Sequence, residues 1–179
     1  MVNKIKTNKD FITKILSILA IALTAPEIIN LLSQNFNNVV FNLILHGTLI
    51  LSAIYILVLL FTKKELNIKT LLIPTLLIYG GVLANNIRGL IENNSWSYVY
   101  YIALYACIII FYVLVMLNNN KTFKYILFML FIIILAMNLL SVFTGSYIGL
   151  ARLIIGLIII FNLYLTIELK EEEKENEEN

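Results

Sequence analysis

Arginine occurs twice in this chain, at Arg88 and Arg152, and both times within apolar surroundings, GGVLANNIRGLIENN and GSYIGLARLIIGLIII. A guanidinium stays charged and presents a planar fork that holds a carboxylate or phosphate at two points. Helical spacing gathers other residues around each arginine. Gly81, Asn85, Arg88 and Glu92 fall on one face of a helix, and Gly145, Gly149, Arg152 and Gly156 repeat the same four-three-four spacing. Single faces also unite Glu27 with Asn30, Asn42 with His46, and Asn138 with Ser141. The chemistry such a set offers is capture of a polar or anionic solute, with its carboxylate or other anionic group on the arginines.

The elements that position these residues follow from composition. The chain is 60% hydrophobic and only 13% charged, about half the charged share of an average soluble domain, which points to a membrane protein. About 20 apolar residues cross a hydrocarbon core of ~30 Å, and cutting the chain at its polar breaks yields six such runs. These runs are 11–33, 39–61, 69–91, 96–117, 122–143 and 146–167. The expected fold is all-α: a six-helix transmembrane bundle (11–167) with short loops, a cytoplasmic basic arm (1–10) and a cytoplasmic acidic tail (168–179). The opening MVNKIKTNKD-FITKILSILAIALTA has the grammar of a secretory signal. Its apolar run is long enough to span, however, and Pro26 stands where cleavage would fall, so it reads as a retained first span.

All eleven lysines fall at one end of this map: Lys4, Lys6 and Lys9 in the arm, Lys14 at the start of the first run, then Lys63, Lys64, Lys69, Lys121, Lys124, Lys170 and Lys174. The positive-inside rule therefore places both termini in the cytoplasm and turns the lysine-free connectors SQNFNN and ENNSWS outward, in the cell membrane. By depth, Glu27, Asn30, Asn42, His46, Asn85, Arg88, Asn138 and Arg152 then all lie in the outer half. The charged ones and His46 sit roughly 5–10 Å below its edge, whereas the inner halves read as nearly pure Leu, Ile, Val and Phe. Small residues beside an arginine let helices approach on the face that holds the charge, so these stripes are expected to point into the bundle. In helix 4, WSYVYYIALY supplies an interfacial aromatic belt, while Tyr98, Tyr101 and Tyr105 share a face that could stack on a ligand. Pro74, in the middle of the third run, is expected to kink its helix, and Pro26 to free a backbone carbonyl near Glu27.

Other features set limits. The lone Cys107 cannot form an intrachain disulfide, and one histidine without neighbouring ligands makes no metal site. Six acids crowd the last nine residues, and their mutual repulsion suits a solvated tail that could dock a basic partner. The ends of helices 1, 3 and 5, APEIINLLSQN, ANNIRGLIENN and AMNLLSVFTGS, each place a polar residue two positions after an alanine, a pattern in keeping with three related hairpins.

Three functional classes remain. The first is a protein that binds, or helps to transport, a small polar or anionic solute through Glu27, Asn30, Asn42, His46, Asn85, Arg88, Tyr105, Asn138 and Arg152. The layout resembles the substrate-binding subunits of energy-coupling-factor vitamin importers, which are also small and six-spanning. That resemblance implies partner proteins that drive transport, and no GxxxxGK[ST] loop occurs here. It covers layout alone: where those subunits carry an AxxxA motif in helix 1, this chain has Ala20-Ile-Ala-Leu-Thr24. The second class is a non-catalytic interaction protein, an assembly subunit or an immunity-type protein, with a partner membrane protein. The third is an intramembrane enzyme using Glu27 and His46 as an acid/base pair. HExxH and GxSG motifs are absent, and the sole aspartate, Asp10, lies in the arm. The expected partners are thus the lipid bilayer and a solute or membrane protein, with no nucleic acid and no cofactor.

Overall fold

A computed structural model describes residues 2–32, 40–64, 66–118, 120–143 and 145–178. The connector SQNFNN lies outside the described residues. Six helices follow one another: α1 (Val2–Leu32), α2 (Val40–Phe61), α3 (Leu72–Asn93), α4 (Ser97–Asn118), α5 (Lys121–Phe143) and α6 (Tyr147–Glu178). All but α3 contain a stretch long and apolar enough to cross a membrane. α3 is as long as α2 and α4, but Pro74, Thr75, Asn85, Asn86, Arg88 and Glu92 dilute its apolar content. α1 is helical from Val2, so the basic segment continues into the first apolar run, and α6 runs through the acidic segment to Glu178.

Each helix packs against its chain neighbours, and α6 returns to pack on α1, closing a ring that α2 and α6 also bridge. Specific contacts show that neighbours run antiparallel. Lys14, early in α1, lies over the ring of Phe61 at the end of α2, with Nζ 4.9 Å from the centroid. Tyr98, early in α4, covers Gly89 late in α3. Along the α5–α6 seam, Ser141 meets Gly149, Leu135 meets Gly156, and Phe128 meets Tyr164. Gly145 makes the tight turn into α6 with φ +84°, a left-handed conformation that costs a residue with a Cβ about 1 kcal/mol or more.

The first correction concerns Pro74. Helix 3 begins at Leu72 rather than 69, so Pro74 is its third residue, where the missing N–H would have had no intrahelical partner. The residues before it fold into a tight turn instead of helix. Asn67 Oδ1 accepts from the amides of Lys69 and Thr70, both at 3.0 Å, and Leu66 and Leu71 are buried. Tyr112 of α4 donates its hydroxyl to the Ile68 carbonyl at 2.8 Å, tying this turn to the lysine-bearing end of the bundle. Pro26 does lie inside α1, as expected, and withholds the amide that would bond the Ala22 carbonyl.

The second correction concerns the half of the bundle expected to be nearly pure Leu, Ile, Val and Phe. Thr13, Ser17, Ser52, Thr75 and Asn162 are buried along with the aliphatic core. A buried hydroxyl or amide without a partner costs about 1–3 kcal/mol, so these groups need acceptors. Ser17, Ser52 and Thr75 return their hydroxyls to the carbonyl four residues back, at 2.9, 2.6 and 2.7 Å, and Thr24 does the same at 2.7 Å. Asn162 donates Nδ2 to the Ile158 carbonyl at 2.7 Å. The hydroxyls of Ser17, Thr24, Ser52 and Thr75 and the amide nitrogen of Asn162 thus bond back to their own helices, which lets polar residues line helix seams without a ligand.

Candidate functional site

At the lysine-free end, the glycine stripe of α6 decides where Arg152 stands. A Cβ added to Gly149 would lie 2.7 Å from Ser141 Oγ and 3.3 Å from the Ser141 backbone carbon, so α5 and α6 are in near backbone contact there. A Cβ added to Gly156 would lie 2.9 Å from Leu135 and 3.6 Å from the Tyr79 hydroxyl. The small residues thus face α5 and the bundle interior, and Arg152 lies between them on the same face. Stepping three residues along each helix from the Ser141–Gly149 contact brings Asn138 opposite Arg152, and Asn138 is buried. Tyr105 of α4, also buried, is near enough to interact electrostatically with Arg152.

Below them sits a residue that the sequence reading did not single out, Tyr79 of α3. Its ring stacks on Tyr105 at 6.1 Å between centroids and meets Phe131 of α5 edge-on at 5.5 Å. Phe131 in turn meets Tyr112 at 6.4 Å. This aromatic layer spans α3, α4 and α5 and forms a floor beneath Arg152. A tyrosine beside the small pair Gly80-Gly81 in an otherwise aliphatic run was the available signal.

The Nε of Arg152 is enclosed and has no hydrogen-bond partner. An unsatisfied donor on a permanently charged group is a costly polar arrangement. Arg88 differs. Its Nε donates to Glu92 Oε1 at 2.5 Å on its own helix, with side chains 30% and 52% exposed. It also stands nine residues beyond Tyr79 along α3, about 13 Å at the helical rise. Arg88 is thus already matched in charge and lies nearer the end of the bundle than the Arg152 layer.

The remaining expected site residues divide in the same way. Glu27 is half-buried on α1 and forms no ion pair among the described residues. Asn85 is half-buried, whereas Asn30 and Asn42 are exposed. His46 is half-buried, and its Nδ1 donates to the Asn42 backbone carbonyl. Among the described residues no hydrogen bond joins His46 to Glu27. Trp96, Tyr100 and Tyr101 are exposed, as belt residues would be, and Tyr98 packs on Gly89 while its hydroxyl accepts from Asn93 Nδ2 at 3.2 Å. Only Tyr105 of the helix 4 tyrosine face reaches the Arg152 layer. Among the described residues no group of three or more His, Cys, Asp or Glu is placed to hold a metal. The bundle therefore brings together Arg152, Tyr105, Asn138 and Tyr79. No family model, curated protein or solved structure matches the chain.

Proposed function

We propose that this chain is a six-span protein of the cell membrane that binds, or helps to transport, a small polar or anionic solute entering from outside. Five apolar helices support membrane residence, and α3 would cross with its polar stripe shielded by the ring. The segregation of lysines supports an orientation with both termini in the cytoplasm and the Arg152 layer toward the outside. The observation that carries the binding reading is the enclosed Arg152 Nε without an acceptor, beside Tyr105 and Asn138. An intramembrane arginine is expensive to keep, and a ligand carboxylate would supply the acceptor that the fold does not.

Substituted cysteines test whether water and solute reach this layer. In a Cys107→Ser background, Asn138→Cys is expected to react with a membrane-impermeant, charged methanethiosulfonate applied to intact cells. Leu140→Cys, two residues on and exposed on the outer surface of the ring, is expected to stay unreactive because it faces lipid. Equal reactivity at the two positions, or reaction of Asn138→Cys from the cytoplasmic side alone, would overturn the proposal.

A further inference from the structure

Four charged side chains belong to the lysine-free end: Glu27, Arg88, Glu92 and Arg152. Arg88 and Glu92 cancel each other locally. Glu27 and Arg152 remain, opposite in sign and on α1 and α6, which pack side by side where the ring closes. They do not form an ion pair with each other.

Their heights in the bundle agree. Thirteen residues along α1 from Lys14, which lies over Phe61, bring Glu27 opposite Thr48 of α2, thirteen residues back from Phe61. Thr48 faces Gly81 of α3, its hydroxyl 3.1 Å from where a Cβ on that glycine would lie. Gly81 is two residues from Tyr79, which stacks on Tyr105, the tyrosine beside Arg152. Glu27 is also seven residues beyond Ala20, on the α1 face that buries Ser17, Ala20 and Thr24. A carboxylate and a guanidinium of neighbouring helices thus stand at about one level without being paired to each other.

We propose that the solute is a small zwitterion, its carboxylate held by Arg152 and its ammonium by Glu27. This deepens, and rests on, the reading of Arg152 as a ligand-binding group. A plain anion would satisfy Arg152 but bring a second negative charge to the level of Glu27, where low dielectric strengthens the repulsion. A plain cation would do the same to Arg152. A molecule carrying both groups, such as a free α-amino acid, satisfies both side chains and adds no net charge to the layer.

The test is thermal unfolding of the full chain in lipid discs with three matched pools: the free α-amino acids, their N-acetyl derivatives, which lack the ammonium, and their amides, which lack the carboxylate. At about tenfold excess over Kd, the free amino acids are expected to raise Tm by roughly 3–6 °C, and the other two pools to leave it unchanged. Arg152→Gln is expected to abolish the shift. Glu27→Gln is expected to abolish selectivity, so that the N-acetyl pool now acts as well as the free one. An equal response of the unaltered protein to the N-acetyl pool would overturn the zwitterion and leave the anion site standing. No response to any pool would also overturn it, and the cysteine labelling, which needs no ligand, would then decide the Arg152 reading separately.

Discussion

Arg152→Met should raise the melting temperature of the ligand-free protein in lipid discs and at the same time remove solute binding. The Arg152 side chain is half-buried, and its Nε is enclosed without an acceptor beside Tyr105. Leaving such a donor unsatisfied costs about 1–3 kcal/mol, and methionine fills a similar volume with no polar group. The expected gain is therefore about 1–3 kcal/mol in the absence of ligand. Arg88→Met provides the contrast. Its pair with Glu92 is a partly exposed contact within one helix, worth roughly 0.3–0.5 kcal/mol, so stability should fall slightly. Were Arg152 a structural residue whose charge holds the ring together, its loss would instead be strongly destabilising, by about 3–5 kcal/mol as for one member of a buried pair. Melting of the two variants side by side separates these outcomes.

The second large effect is expected at Gly149. Valine there must place Cβ 2.7 Å from Ser141 Oγ and 3.0 Å from Ser141 Cβ, with its two methyl groups still to be housed. The serine hydroxyl can rotate away, but its Cβ and backbone carbon cannot, so α5 and α6 must separate. Overpacking of this kind costs about 1–3 kcal/mol. Arg152 and Asn138 each lie three residues from the contact, so spreading the seam should weaken solute binding as well. Ser141→Gly is expected to restore part of the loss in a Gly149→Ala background, since it removes the two nearest atoms. Gly47→Ala, where a new Cβ meets nothing within 4 Å, should be neutral or slightly stabilising, because alanine favours a helix over glycine by up to about 1 kcal/mol. Denaturation of the variants in lipid discs, followed by solute-induced shifts, checks both parts.

Much of this arrangement is legible in the residues themselves. Polar breaks at regular intervals delimit six helices, and the three-four spacing of Gly149, Arg152 and Gly156 anticipates a close seam with the arginine on the same face. What escaped has physical reasons. Helix phase says which residues share a face but not which neighbour the face meets, so Arg88 and Arg152 looked equivalent until Glu92 was seen to bind the first. The i,i+4 relation of Arg88 and Glu92 was itself visible. Tyr79 was lost in an aliphatic run because its importance comes from contacts with α4, α5 and α6, none of which is local. Pro74 was misplaced because the start of a helix depends on a turn, held by Asn67 and Tyr112, whose partners come from elsewhere in the chain. The buried hydroxyls of Ser17, Ser52 and Thr75 were submerged in apolar averages, though residues that bond back to their own helix are well suited to such seams.

Native mass spectrometry of the full chain released from lipid discs tests the central claim most directly, because it needs no prior choice of solute. The unaltered protein is expected to retain a reproducible small-molecule adduct, lighter than any membrane lipid, and Arg152→Met to appear without it while keeping its fold. A bare unaltered protein, or the same adduct on both proteins, would contradict the assignment of Arg152 as the group that holds a solute.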